Sequence, residues 1–431
     1  MRRSGLAAIV LLVGLAGCGA GSGGDIRFLV FGDPEELRAY RTLIAAYEQR
    51  GNDDVQLIEA SDREDLIARL STSFAGGSPP DVFLLNYRFY GQFATRGVLE
   101  PLEERVESSD VFEPEDFFSQ ALEAFRWDGV LTCLAQNVSS LVVYYNRELF
   151  RRFGISEPRR GWTWTEFVIR AAQLTRDAQG RPVTAGDPEQ GAVRPAIYGL
   201  GIEPTLIRLA PFVWSNGAEL VDDTDRPTRL TLETPRALEA LEEFLKLRTV
   251  YGAVPSDTDV EAEDDESRFQ NGRLAMVLSS RRSTPTFRTI TAFDWDVAPL
   301  PVMRRPAGIL HSDAYCMAKE GDQETAWRFV EFANSPEGQR IVARTGRTVP
   351  SLQEVARSDA FLDPAAKPRS SEIFLEGISS IRRVPTISTW PEIEDAAEPI
   401  LENGLYLGQD ARQVARALDR ATRPLFARAR P

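Results

Sequence analysis

A chain of 431 residues with a formal charge of −14 lacks the basic surface that phosphate neutralisation needs, which argues against a nucleic-acid partner. Its length exceeds what one hydrophobic core usually serves and predicts two lobes of comparable size, while the acidic balance favours solubility outside the cell. One histidine, His311, excludes a multi-histidine metal site and leaves a single candidate for a histidine general base.

At the start of the chain Arg2 and Arg3 precede an apolar run over 6–16, too short to cross a hydrocarbon core of roughly 30 Å. Residues 1–17 read as an export signal. Leu15-Ala16-Gly17-Cys18 resembles the bacterial lipobox, which implies acylation of Cys18 and a lipid-anchored, extracytoplasmic place on the cell membrane. Residues 18–24, rich in glycine and serine, form the expected flexible tether. Cys133 and Cys316 remain, and two cysteines in an oxidising compartment can form one disulfide.

From residue 26 the pattern is regular. An apolar run over 26–31 predicts a buried strand, and Gly32-Asp33-Pro34 turns the chain into a helix with Leu37, Tyr40, Ile44 and Tyr47 on one face. A strand over 55–60 precedes a helix that buries Leu66, Ile67, Leu70 and Phe74, and 81–85 is a third strand. Strand, helix, strand, helix, strand implies a parallel sheet whose ligands sit beyond the carboxyl ends of the strands. That rule sets Phe31-Gly32-Asp33 and Asn86-Tyr87-Arg88 at one rim. Farther on, Thr163-Trp164-Thr165-Glu166 is a capping box that opens a helix and marks a second lobe. A strand over 197–202, a helix over 204–216, a long helix from Thr234-Pro235 and strands over 273–280 and 294–300 follow. The acidic run 261–266 reads as a solvated loop or helix start. The last third is helical, with Ser335-Pro336 as cap and first-turn proline.

Several segments recur in a known order: Pro80-Asp81-Val82-Phe83, Gly97-Val98-Leu99-Glu100-Pro101-Leu102, Val142-Val143-Tyr144-Tyr145-Asn146, Trp162-Thr163-Trp164, Gly272-Arg273-Leu274-Ala275-Met276 and the stretch 326–332. In that order they resemble the family 1 extracellular solute-binding proteins, a carbohydrate-binding group, across essentially the whole mature chain. The resemblance implies an α/β, two-lobed periplasmic-binding-protein-like fold of type II, each lobe a mostly parallel sheet flanked by helices and the lobes joined by hinge strands. The N-terminal lobe would comprise 25–135 and 307–345, the C-terminal lobe 136–306 and 346–431. Residues 129–140 would be the first crossing and 307–318 the return strand, antiparallel neighbours in this family. Cys133 and Cys316 then stand on the N-lobe side of the hinge, either bonded or as two buried thiols.

The resemblance also implies a small-molecule sugar enclosed on hinge closure and a partner ABC-type permease with its ATPase. It implies no catalysis, cofactor or metal, and a monomer. A sugar needs an aromatic platform with planar donors and acceptors around it. The candidates are Asp33, Asn86, Tyr87 and Arg88 from the first rim, Gln136, Asn137 and Ser139 from the crossing, and His311, Asp313 and Tyr315 from the return strand. Trp214, Ser280, Arg281 and Arg282 come from the second lobe, Arg347 and Trp390 from the last part. Trp162 and Trp164 read as packing for the helix start. Arg88, Arg281, Arg282 and Arg347 would suit a phosphate or carboxylate, so a glycerol-phosphate-like or acidic sugar stands beside a neutral mono- or oligosaccharide. Two other classes stay open: a secreted glycosidase, for which no acid pair stands out, and a solute sensor of the same fold.

Overall fold

The computed structural model describes residues 26–51, 53–183 and 194–429; the expected leader, Cys18 and the tether lie outside them. In the first lobe the strands Ile26–Val30, Val55–Glu59 and Val82–Asn86 run parallel, connected by the helices Pro34–Glu48 and Arg63–Ala75. Asp33 caps the first helix by accepting from the amides of Glu35 and Glu36, and Asp62 caps the second through the amide of Asp65. Both caps therefore sit where strand turns into helix, at the carboxyl edge of the sheet. Phe28 packs edge-on against Tyr40 and Phe329, which locks sheet, first helix and the later helix Gln323–Asn334 into one core.

The sheet order is Val55–Glu59, Ile26–Val30, Val82–Asn86, Asp313–Met317, Cys133–Ala135. The strand Asp313–Met317 returns antiparallel to both of its neighbours. Its register places Cys316 opposite Cys133 with Cα atoms 4.4 Å apart, the close spacing of a non-hydrogen-bonded antiparallel pair, and the two are joined as a disulfide.

In the second lobe Val142–Asn146 lies between Met276–Ser279 and Trp295–Ala298 and is antiparallel to both. This corrects the expectation of a mostly parallel sheet there. Around this sheet parallel pairing occurs as the single bridges Tyr198 with Leu274, Gly201 with Val277 and Thr163 with Val302, and the short pair Gly308–Ile309 with Ile381–Arg382 is parallel as well. The segment expected as a strand over 197–202 divides its amides between two sides: Tyr198 and Gly201 donate to the carbonyls of Arg273 and Met276, whereas Leu200 donates to Ala253 and Gly199 to the Thr175 hydroxyl. Gly199 is required by proximity, since a Cβ there would lie 1.7 Å from the Ala171 carbonyl oxygen. The Thr163–Glu166 capping box opens the helix Trp164–Leu174. Trp162 and Trp164 are buried at that helix start, their indoles donating to the Pro299 carbonyl at 2.8 Å and the Glu243 carboxylate at 3.0 Å.

Three segments pass between the lobes. Ser139 and His311 exchange amide-to-carbonyl hydrogen bonds of 2.8 Å each, and the Ser312 hydroxyl donates to the Asn137 carbonyl at 2.6 Å. The third segment joins where the Val138 amide donates to the Val349 carbonyl at 2.9 Å. After Thr348 the chain stays against the first lobe: Leu352 bridges Phe117, and the Gln353 side-chain amide donates to the carbonyls of Glu115 and Phe117. It meets the second lobe farther along, where Ser370 donates to Asp296 through both amide and hydroxyl. The passage to the second lobe thus lies beyond the expected boundary at 346, between Gln353 and Ser370. The helices Trp390–Leu407 and Ala411–Arg428 finish the chain, packed on each other and on Pro235–Thr249.

The disulfide joins residues 183 apart in sequence, so it removes a large loop entropy from the unfolded chain. Reduction is expected to lower stability by roughly 2–5 kcal/mol. Urea unfolding of the oxidised and reduced protein measures the difference, and superimposable curves would contradict it.

Candidate functional site

A cleft of about 620 Å³ lies between the lobes, with the crossings as its floor. Asn137 and Ser139 from the first crossing, His311 and Asp313 from the return, and Arg347 and Thr348 from the third all line it. Asp313 is held in place by two amides: Asn86 donates to Oδ1 at 3.0 Å and Asn137 to Oδ2 at 3.4 Å. The first lobe contributes Phe31, Gly32, Asp33, Glu36, Arg63, Asn86 and Arg88; the second contributes Glu203, Ile207, Arg208, Glu266, Ser280, Arg282 and Thr286.

The charges come largely in pairs. Arg347 reaches Asp33 through Nη1, and its Nε lies 2.7 Å from Glu36. Gly32 makes room for that contact, because a Cβ there would lie 2.7 Å from Glu36 Oε2. Beneath it the Tyr40 hydroxyl donates to Glu36 Oε1 at 3.1 Å, and Gln136 Nε2 donates to the hydroxyls of Tyr40 and Tyr315 at 3.2 and 2.7 Å. Burial pushes the Glu36 carboxyl from 4.5 up to about 7; Arg347 opposes the shift, and Asp313 and Asp33 add to it. Across the cleft Arg208 pairs with Glu203 at 2.8 Å and Arg282 with Glu266 at 2.9 Å. Arg88 pairs at 2.5 Å with Glu394 on the helix Trp390–Leu407, tying the first lobe to the C-terminal helices. Burial, followed by Arg208, Arg88, Arg63 and Arg282, pushes the His311 imidazole well below its ordinary value, so it is neutral at neutral pH.

Residues 42–368 match the family of bacterial extracellular solute-binding proteins. This chain belongs to that family. Two curated relatives lie at a similar distance: a Brucella abortus (strain 2308) protein named as a binding protein is 23% identical over 358 residues, 80% of this chain and 79% of its own. The maltotriose-binding protein of Pyrococcus abyssi is 24% identical over 332 residues, 75% of this chain and 65% of its own. An ABC substrate-binding protein from Listeria monocytogenes, solved with cycloalternan, superposes with a TM-score of 0.81 at 24% identity over 93% of this chain and 98% of that one. That likeness is one of fold, the type II periplasmic-binding-protein architecture of two hinged α/β lobes.

Of the residues the sequence pointed to, Asp33, Asn86, Arg88, Asn137, Ser139, Ser280, Arg282, His311, Asp313 and Arg347 meet in the cleft of this family member. Six others lie away from it, each for a packing reason. Tyr87 is fully buried at the start of the helix Tyr87–Ala94. Gln136 and Tyr315 bond to each other below the floor. Trp214 is buried under the Arg382 guanidinium, 5.0 Å from its ring. Arg281 is fully buried, its guanidinium 4.7 and 5.0 Å from the Phe361 and Phe374 rings, and its Nε donates to the Gly346 carbonyl at 2.7 Å. It therefore holds the third crossing from behind. Trp390 is buried and donates its indole to Glu394 at 2.7 Å, one step removed from Arg88.

The sequence reading set Phe31 at the rim without giving it a role, and it passed over Glu36, Arg63, Glu203, Arg208 and Glu266, which line the cleft. Glu36 and Arg63 stand in the first turns of helices that leave the sheet at its carboxyl edge, so the rule that selected Asp33 reaches them too. Glu266 belongs to the acidic run read as a solvated loop or helix start; it lies in the first turn of Asp265–Gln270.

A carboxyl with a folded pKa above its unfolded one favours the folded state fully below the unfolded value, and that contribution is lost as pH rises to the folded one. For Glu36 the window runs from 4.5 to about 7. Glu36→Gln removes the loss, so the melting temperature of the variant relative to the native chain should rise between about pH 5 and pH 8. A gap that does not change with pH in paired thermal melts would contradict the buried-carboxyl account.

Proposed function

We propose that this chain is the substrate-binding component of an ABC importer. It captures a sugar, a mono- or oligosaccharide, in the interlobe cleft and hands it to the permease while tethered to the membrane through Cys18. The observation that carries the reading is the chemistry of the cleft. Asn86, Asn137, Asp313, Ser139, Ser280 and the arginines converge from both lobes and the hinge, offering in-plane donors and acceptors to ring hydroxyls. Phe31 is the aromatic among the described lining residues and supplies an apolar face. The maltotriose specificity named for the Pyrococcus relative and the cycloalternan bound by the Listeria protein support a carbohydrate ligand.

Hinge closure is the mechanism. A ligand that touches Asp313 on the floor, Asp33 on one wall and Arg282 on the other gains contacts only when the lobes approach, so it shifts the population toward the closed form. Asp33, Glu36, Glu203 and Glu266 are each engaged by an arginine, which favours a binding cleft over a glycosidase acid pair.

A thermal-shift screen of the mature chain against neutral, acidic and phosphorylated mono- and oligosaccharides tests the reading. A ligand at 100 times its Kd stabilises by about 2.7 kcal/mol, a clear rise in melting temperature. Asn137→Ala or Asp313→Ala should then weaken calorimetric binding by roughly 1.5–3 kcal/mol. No shift with any carbohydrate would contradict the sugar reading, and hydrolysis of the sugar would contradict the binding-protein reading.

A further inference from the structure

The buried side-chain atoms that line the cleft without a hydrogen-bond partner, among the described residues, are all nitrogens: Arg63 Nε, Arg208 Nε and Nη1, and His311 Nε2. Guanidinium nitrogens only donate, and a buried donor left unmet costs free energy, so this part of the cleft calls for acceptor oxygen. The other cleft arginines are already engaged: Arg88 by Glu394, Arg282 by Glu266, Arg347 by Asp33 and Glu36. Arg208 meets Glu203 through Nη2, which leaves Nε and Nη1 without a partner, and its side chain is only 7% exposed. Arg63 forms no ion pair among the described residues; its guanidinium lies over the rings of Phe31 and Phe89, 5.1 and 5.7 Å from their centres.

We infer that the captured sugar carries an anionic group, a carboxylate or a phosphate, that seats among Arg63, Arg208 and His311. The inference rests on the sugar-binding reading above and narrows its substrate class. Arg63 opens the helix Arg63–Ala75 of the first lobe, Arg208 lies in the first turn of Leu206–Ser215 of the second, and His311 belongs to the return crossing. An oxyanion held by all three therefore touches both lobes and the hinge at once. Forked guanidinium donors match carboxylate and phosphate oxygens better than they match a lone hydroxyl. Asp313 with its two asparagines lines the same cleft and offers partners to the sugar hydroxyls, and Phe31 stands beside Arg63 as an apolar surface for the ring.

Calorimetry on the mature chain tests this with matched probes: glucuronate and galacturonate against glucose and galactose, glucose 6-phosphate against glucose, sn-glycerol 3-phosphate against glycerol, and inorganic phosphate alone. At least one anionic sugar or polyol should bind roughly tenfold or more tighter than its uncharged counterpart, the preference shrinking at high salt. Whether the uronates or the phosphates show it decides which oxyanion is the source. Arg63→Gln and Arg208→Gln should each reduce the anionic-to-neutral ratio toward one, and Arg63→Lys should restore part of it. Arg208 is buried, so Arg63→Gln carries the test if the Arg208 variant does not fold. The inference is overturned if no anionic probe outbinds its neutral partner; tight neutral-sugar binding in that case leaves the sugar reading intact. Binding of inorganic phosphate with no gain from any sugar moiety would keep the anionic pole and end the sugar reading.

Discussion

The two hydrogen bonds exchanged by Ser139 and His311 fix the point at which the chain leaves one lobe and returns to it, and the cleft is built around that point. Side chains alternate along extended backbone, so pinning this one pair sets the facing of its neighbours. Asn137, Ser139, His311 and Asp313 all turn toward the cleft, while Gln136 reaches down to Tyr40 and Tyr315 and Ser312 bonds the Asn137 carbonyl. The same alternation explains why Gln136 lies beneath the floor and Asn137 on it. On the N-lobe side of the pair the disulfide joins the same two segments, so the floor is anchored covalently as well as by hydrogen bonds.

Charge is the second constraint. Taking an arginine out of water is costly unless its donors are met, and the structure answers in two ways. Arg347 and Arg88 are met by carboxylates, one of which, Glu36, is buried enough for its pKa to rise to about 7. Among the described residues Arg281 has no carboxylate partner; three oxygens, from Gly346, Ser371 and Phe361, and two aromatic faces surround it. Burial still pushes its pKa down to about 9. Its hydrogen bond to the carbonyl of Gly346 helps place the adjacent Arg347, so a residue outside the cleft orders one inside it.

Much of this was legible in the sequence, and the failures have a common cause. The strand-to-helix turns after the first and third strands located Asp33, Asn86 and Arg88, because the carboxyl edge of a parallel sheet is fixed by topology. The ordered family segments located the crossings and with them Asn137, Ser139, His311 and Asp313. What the sequence could not resolve was facing at irregular positions. Tyr87 and Arg88, or Arg281 and Arg282, are neighbours at the end of a strand, and only packing decides which one is buried. The aromatic candidates Tyr87, Tyr315, Trp214 and Trp390 fill cores, since large apolar side chains gain most from full burial, and Phe31 at the rim is the aromatic that lines the cleft. Arg63 and Arg208 stand in the first turns of helices in two different lobes, and the cleft they share is a product of how the lobes meet.

The central claim is that the cleft closes on its solute. Small-angle X-ray scattering of the mature chain, alone and saturated with a ligand whose occupancy is confirmed by calorimetry, tests it most directly. The account predicts a smaller radius of gyration in the saturated protein; an unchanged radius at full occupancy would contradict closure of the lobes around the ligand.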